Sequence, residues 1–142
     1  MAIPESARKV IDSGRLVHFV TLNPDGSPQV SIVWATTDGD EIVMAHFGAY
    51  QKVKNVRRDP RVSLSIETDQ VNDAGLTEYL VVHGTARIEE GGAAELIQKL
   101  AYVYLGPDVG KFPPGDNPMP PGFITRITPQ RYSGVGPWAV AQ

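Results

Sequence analysis

Five of the thirteen Lys and Arg residues fall within ten consecutive positions, and this basic cluster is the strongest chemical signal in the sequence. Its members are Lys52, Lys54, Arg57, Arg58 and Arg61. The cluster begins where a predicted strand passes into a predicted helix, and the free backbone N–H groups and dipole at a helix start favour anions. The pattern predicts a phosphate site there, formed by backbone N–H groups, Lys52 and Gln51. Arg57 and Arg58 are expected instead to neutralise the carbonyl end of the helix.

Other kinds of chemistry have little support in the sequence. There is no cysteine, which excludes disulfides, thiolate nucleophiles, iron–sulfur clusters and Cys-ligated zinc. The histidines His18, His46 and His83 lie in separate predicted strands, where isolated histidines are expected to be packed or surface residues, so no metal site is predicted. His46, Tyr50 and Trp138 lie near candidate regions, but each has a structural role as an alternative. The catalytic residues therefore stay unassigned, and solvent is an available proton source.

Alternation of apolar residues between strong turn residues predicts six strands that position the basic cluster. They cover segments 15–22, 28–37, 41–47, 61–68, 78–90 and 123–132. Apolar residues at helical spacing predict short helices at 4–13, 50–58 and 93–105. Gly84, inside the fifth strand, marks a bulge or a close backbone approach. This order predicts a small antiparallel barrel with helices around it.

Composition places the chain among ordinary globular proteins. It has 142 residues, 42% hydrophobic and 20% charged, which is the usual size and composition of a single domain, here 1–142. A net charge of −3 argues against a surface devoted to nucleic acid. No signal peptide is recognisable, and no apolar stretch approaches the ~20 residues of a membrane span, so the expected location is the cytoplasm.

A long proline-rich loop follows the third predicted helix. Six of the seventeen residues in 106–122 are proline. Loops of this length without secondary structure are more often functional or interfacial than idle. With Phe112, Met119 and Phe123, this loop either roofs a substrate pocket or simply covers the sheet, and the sequence favours neither.

Three segments in this order resemble the FMN-binding split β-barrel superfamily, the relatives of pyridoxamine 5′-phosphate oxidase. They are LNPDGSPQVSIVW (22–34), KVKNVRRDPRVSL (52–64) and VVHGTARI (81–88). Within that group the chain is most similar to the branch called F420-dependent, and the likeness runs from about residue 7 to residue 134. The resemblance implies a mainly β (α+β) fold: a six-stranded antiparallel split β-barrel with flanking short helices.

The resemblance also implies which residues bind the cofactor. Lys52 matches the family's phosphate-binding lysine, and Asn55 matches the asparagine one turn later. In the family, one strand lines the tricyclic ring of the cofactor, and the residues that match it here are Pro28, Gln29, Val30 and Ser31. Another strand runs beside the ring and the phosphate, and the residues that match it are Met44, Ala45 and His46. The oxidases carry an Arg-Lys pair where this chain has Gln51-Lys52, so one of their phosphate contacts is missing.

The function implied by the resemblance is reduction by a bound cofactor. The first expectation is an oxidoreductase in which reduced coenzyme F420, a deazaflavin, passes a hydride to a small unsaturated substrate. Lys54, Arg57 and Arg58 would then face its polyglutamate tail. The alternatives are an FMN-binding oxidoreductase of the same fold and a non-catalytic carrier of a flavin, F420 or a tetrapyrrole. A homodimer with the cofactor at its interface is implied, with no nucleic-acid or membrane partner.

Overall fold

Seven antiparallel strands and three helices make up the computed structural model, which describes residues 2–139. The helices are α1 (Glu5–Ile11), α2 (Gln51–Arg58) and α3 (Ala93–Tyr104). The strands are β1 (Val17–Leu22), β2 (Pro28–Val33), β3 (Thr36–Asp38), β4 (Glu41–His46), β5 (Arg61–Val71), β6 (Thr77–Glu90) and β7 (Phe123–Val135). The expected mainly β, α+β fold with short helices at its flanks is confirmed.

The predicted second strand, 28–37, is two strands in the structure, and this is why the sheet has seven strands rather than six. The ladder stops after Val33, and the backbone N–H of Ala35 donates to the hydroxyl of Tyr104 at 3.0 Å. The interruption therefore depends on a side chain 69 residues away. Residues 34–37 contain no Gly or Pro from which the break in the strand could have been predicted.

The order of the strands explains why the sheet curls. It runs β2-β1-β5-β6-β7-β4-β3, with every neighbouring pair antiparallel. The two edge strands, β2 and β3, are separated along the chain by only Trp34 and Ala35. The sheet must therefore bend until its edges approach each other, which produces a barrel with one open seam. Its interior is filled by fully buried apolar side chains, among them Phe19, Ile42, Leu64, Leu80 and Ile127.

A bulge between β6 and β7 contributes to this curvature. The ladder changes register between His83 and Gly84, as the glycine in the sequence predicted. A Cβ atom added at Gly84 would lie 2.3 Å from the backbone oxygen of Thr128. Only glycine allows the two backbones to approach this closely, so the bend of the barrel depends on this residue.

The helices pack at the ends and sides of the barrel. The inward face of α2 consists of Val53, Asn55 and Val56, and the helix packs on β1 and β6. It ends at Arg58 because Asp59 precedes a proline and adopts an extended conformation. The longer helix α3 packs on β4. In the part of the chain that the structure describes, no helix combines the length and the apolar character needed to cross a membrane.

Candidate functional site

A cleft of about 290 Å³ lies at the open seam, between the ends of β2 and β4, the start of α2, and α3. Its walls are mostly apolar and aromatic, with one lysine and one histidine. The lining residues are Ile32, Val33, Trp34, Ala45, His46, Phe47, Tyr50, Lys52, Ile97 and Phe112. Three of the predicted cofactor residues, Ala45, His46 and Lys52, are thus brought together in one cleft.

Lys52 supplies the positive charge of the cleft. Its side chain is half-buried, with Nζ 5.3 Å from the centre of the Tyr50 ring, where the ring face attracts a cation. Burial lowers the pKa of Lys52 from its usual value, because a desolvated ammonium group is less stable than a solvated one. Among the residues that the structure describes, no carboxylate forms a salt bridge with it. A bound anion would supply that missing negative charge.

The start of α2 adds backbone donors beside this lysine. The N–H groups of Val53 and Lys54 both donate to the carbonyl of Tyr50, and no side chain caps the helix. The N–H groups of Gln51 and Lys52 precede the first helical hydrogen bond and have no partner within the helix. Lys52 therefore lies in the first turn of α2, beside N–H groups that the helix leaves without a partner, which is the position at which the sequence predicts a phosphate site.

His46 forms the polar floor of the cleft. Its imidazole is only 4% exposed, and Nε2 lies 2.8 Å from the buried Thr125 hydroxyl. Burial, reinforced by the positive charge of Lys52, lowers the pKa of His46 to about 4. The ring is therefore neutral at pH 7, and it is a hydrogen-bonding group there rather than a proton donor.

The end of β4 offers its backbone to the cleft. β3 pairs with β4 only at Glu41–Val43, so residues 44–46 pair on one side alone, with β7. Ala45 lines the cleft, whereas the Met44 side chain is fully buried in the barrel core. Met44 can therefore face a ligand only through its main chain.

Aromatic side chains form the opposite wall. Trp34 stacks on Tyr104 with ring centres 5.1 Å apart and an angle of 13°, and Phe112 lies 5.4 Å from Trp34. The proline-rich loop that carries Phe112 is fastened to α3 by Gln98, which donates to the Gly110 carbonyl and accepts from the Phe112 N–H, both at 2.7 Å. Phe112 thus lines the cleft, whereas Phe123 packs under the Arg57 guanidinium.

Asn55 lies beneath the site and not in the cleft. Its side chain is 0% exposed, and its amide nitrogen donates to Thr21 Oγ1 and Asn23 Oδ1, both at 3.0 Å. Its oxygen accepts from Gln51 at 2.8 Å and from Arg58 at 3.2 Å. All four hydrogen-bonding positions of the amide are in use. Asn55 fastens α2 to the β1–β2 hairpin, and it has no free position for a ligand.

The two faces of β2 separate the four residues predicted on this strand. Pro28 and Val30 point outward, and Val30 is 58% exposed. Gln29 and Ser31 lie on the other face together with Val33. The cleft is lined from both faces, by Ile32 and by Val33, and none of the four predicted β2 residues lines it. The Ser31 hydroxyl is buried and finds no hydrogen-bond partner among residues 2–139.

The remaining basic residues of the cluster are used in different ways. Arg57 pairs with Glu90 at 3.3 Å, and Arg58 bonds to Asn55 and to the Leu22 carbonyl, so both have structural partners. The Arg61 side chain forms two hydrogen bonds with Asp59, at 2.8 and 3.0 Å. Lys54 stays exposed on the surface of α2.

Several site residues were not identified from the sequence. Trp34 follows β2, Phe47 follows β4 and Ile97 belongs to α3, and in sequence each has the spacing of an ordinary core residue. Thr21 and Thr125, the buried partners of Asn55 and His46, lie in strand patterns that carry no chemical signal. Across the described range 2–139, no three His, Asp or Glu side chains converge as metal ligands would.

A larger cleft of about 620 Å³ lies between α1 and β5 and contains none of the predicted site residues. Its lining mixes acidic and basic side chains, and the Arg15–Asp69 ion pair lies within it. The smaller cleft at the seam is the better site for a phosphate-bearing planar cofactor. It combines the half-buried Lys52 at the start of α2 with walls that are mostly apolar and aromatic.

Comparison with known proteins supports the family resemblance and the fold. A family model described as pyridoxamine 5′-phosphate oxidase matches residues 3–136. A solved structure named F420 reductase is 25% identical, with a TM-score of 0.72 over 92% of this chain and 98% of its own. An FMN-binding protein from Syntrophomonas wolfei is 13% identical, with a TM-score of 0.67 over 93% and 85%. HupZ of Group A Streptococcus is 18% identical, with a TM-score of 0.63 over 95% and 96%. No curated protein matches the chain significantly in sequence.

Proposed function

The chain belongs to the pyridoxamine 5′-phosphate oxidase family, and from that premise we propose that it is an oxidoreductase that uses reduced coenzyme F420 to reduce a small unsaturated compound. The observation that carries the proposal is the cleft at the barrel seam. There a half-buried lysine and the start of α2 face flat apolar walls. A planar cofactor that carries a phosphate fits both features, with its phosphate at the lysine and the helix start and its ring against the apolar walls.

Each part of the site has a separate task in this proposal. Lys52 and the N–H groups of residues 51 and 52 bind the phosphate, and the Ala45 and His46 main chain lies beside the ring. Gln29 and Ser31 offer polar contacts from β2. When bound, the deazaflavin supplies the hydride, while the protein orients its ring and keeps competing reactions out. No protein group is assigned as proton donor, because His46 is neutral at pH 7.

Two features favour F420 over FMN. The F420 reductase is 25% identical to this chain, against 13% for the FMN-binding protein. In addition, the position of the oxidases' arginine holds Gln51, whose amide donates to Asn55. FMN remains the second candidate, because an FMN-binding protein shares the fold. The cationic surface available to a polyglutamate tail is Lys54, since Arg57 and Arg58 have partners within the chain.

We propose that the protein acts as a homodimer with the cofactor at the interface. Val30 and Ile32 are each 58% exposed on the outer face of β2, and Ile32 also lines the cleft. A second copy packed there would cover these apolar side chains and complete the wall of the cleft. Val30→Glu is then expected to yield monomers in light scattering. Val71→Glu, at an equally exposed valine on β5, is expected to leave the dimer intact.

A binding titration tests the cofactor assignment. Purified protein is titrated with F420 and with FMN, and the bound fraction is followed by fluorescence. Lys52→Met removes the charge and keeps much of the side-chain volume, and it is expected to weaken F420 binding at least tenfold. The control is Lys9→Met, which removes one charge at an exposed position of α1 outside the cleft; it is expected to weaken binding less than threefold. Selective binding of FMN would move the assignment to the flavin branch.

Hydride transfer separates an enzyme from a carrier. Reduced F420 is mixed with the protein and a panel of unsaturated compounds, and oxidation of the cofactor is followed by its absorbance. Turnover with any of them supports the reductase. Tight binding of F420 without oxidation across the panel would support the carrier. Absence of binding to both F420 and FMN would show that the site assignment is wrong.

A further inference from the structure

We infer that Tyr104 is a positioning residue of the cleft: it holds Trp34 in the orientation in which this indole forms part of the wall, and ligand affinity depends on Tyr104 through Trp34. Tyr104 belongs to α3 and is not one of the residues that line the cleft. Its effect on a ligand is therefore indirect. The inference rests on the proposed function for the identity of the ligand, but the placement of Trp34 can be measured without one.

The Tyr104 hydroxyl joins three segments of the chain. It donates its single proton to the carbonyl of Arg15 at 2.8 Å and accepts from the N–H of Ala35 at 3.0 Å, while the Ala35 carbonyl is a more distant acceptor at 3.3 Å. Burial raises the pKa of Tyr104, so the hydroxyl keeps this proton at neutral pH. These bonds fasten α3 to the segment before β1 and to the connection between β2 and β3.

The bond to Ala35 restrains the main chain of Trp34. The N–H of Ala35 belongs to the planar peptide group that links these two residues, so holding it restricts the rotation of that group. Trp34 and Ala35 are the whole connection between the edge strands, and the ladder of β2 ends at Val33. The Tyr104 hydroxyl takes the place of a neighbouring strand here. Ala35 is 1% exposed, so water offers its N–H no substitute acceptor.

The Tyr104 ring restrains the side chain of the same tryptophan. It stacks on the Trp34 ring with centres 5.1 Å apart and 13° between the planes, a contact in which both rings bury a face. Trp34 in turn lies 5.4 Å from Phe112, and these two rings line the cleft. One residue thus holds Trp34 both at its peptide group and at its indole, so a change at Tyr104 reaches the cleft wall.

The placement of Trp34 is measured first, without a ligand. The chain has two tryptophans, so ¹⁵N-labelled protein gives two indole N–H signals. Trp138, whose indole N–H donates to a backbone carbonyl of β7, is the internal reference. Tyr104→Phe keeps the stacked ring and removes the hydroxyl. The backbone amide of Ala35 is then expected to exchange with solvent at least tenfold faster, and the Trp34 indole signal to move, with the Trp138 signal unchanged.

The matched control lies on the same helix. Tyr102→Phe removes a hydroxyl from a side chain that is 46% exposed, and it is expected to leave the Trp34 indole signal and the Ala35 exchange rate at their wild-type values. If Tyr104→Phe also leaves both at their wild-type values, Tyr104 does not position Trp34 and the inference is overturned.

Binding then tests what this placement does. For whichever of F420 or FMN binds, Tyr104→Phe is expected to weaken the affinity at least threefold. Tyr104→Leu, which also removes the stacked ring, is expected to weaken it at least tenfold, and Tyr102→Phe less than twofold. A merely structural role would lower the melting temperature and leave the affinity of the folded protein unchanged. Wild-type affinity in both Tyr104 variants, with circular dichroism showing that they are folded, would contradict the inference.

A double-mutant cycle tests whether Tyr104 acts through Trp34. Trp34→Leu alone is expected to weaken binding at least tenfold, and the addition of Tyr104→Phe to weaken it by less than a further twofold. If the second substitution has its full effect in the absence of the indole, Tyr104 acts by another route and the inference is wrong. If the wild type binds neither cofactor, the proposed function fails, and the Trp34 and Ala35 signals still decide whether Tyr104 positions Trp34.

Discussion

Lowering the pH from 8 to 5 is expected to destabilise the folded protein through His46. The unfolded imidazole has a pKa near 6.5, whereas burial and the charge of Lys52 lower that of the folded state to about 4. Between these values the unfolded state binds more protons than the folded state, so stability rises with pH. The full difference corresponds to about 3 kcal/mol at 1.36 kcal/mol for each pKa unit, and about 2 kcal/mol of it is lost by pH 5.

Urea unfolding at pH 8, 6.5 and 5 measures this loss. The tryptophans provide the signal, since Trp138 is buried and Trp34 is stacked on Tyr104. The pH window lies above the range in which most carboxylates titrate. His46→Gln removes the titrating group and keeps a side chain that can bond to Thr125, so its stability is expected to change much less between pH 8 and pH 5.

His83→Gln is the matched control. Burial, and then the charge of Arg131, also lower the pKa of His83, but its ring is only half-buried beside Ser63. Its removal is expected to leave most of the pH dependence in place. If the His46 imidazole titrates near pH 6.5 by NMR, or if His46→Gln shows the full wild-type dependence, the reasoning from burial is wrong.

Three further predictions concern the frame around the site. Gly84→Ala places a Cβ atom against the Thr128 carbonyl and is expected to cost about 2 kcal/mol or more, lowering the melting temperature by roughly 6 °C in a thermal scan. Arg126→Gln removes the guanidinium that joins three carboxylates, and the expected loss of about 1 kcal/mol should shrink in 1 M salt when unfolding is repeated there. Gln98→Ala frees the proline-rich loop, so amide exchange at Phe112 should accelerate roughly tenfold while exchange in the barrel strands is unchanged; equal acceleration throughout would mean that the fold itself was weakened.

The elements with local signals were predicted well. Alternation in β5 and the proline after α2 depend on neighbouring residues, and the structure confirms both. The second strand was predicted too long, because the contact that ends it comes from Tyr104, far along the chain. The family resemblance predicted that Lys52 and Asn55 both bind the cofactor. In the structure Lys52 enters the cleft, while Asn55 is buried against Thr21.

The sequence by itself determined the fold class, the basic helix start and the position of Lys52, because each follows from spacing over a few residues. Only the tertiary structure decided what surrounds that lysine. The seam brings together β2, β4, α2 and α3, and burial there makes His46 neutral at pH 7. The burial of these side chains and their hydrogen-bond partners depend on residues distant in sequence, so both arise only once the barrel has closed.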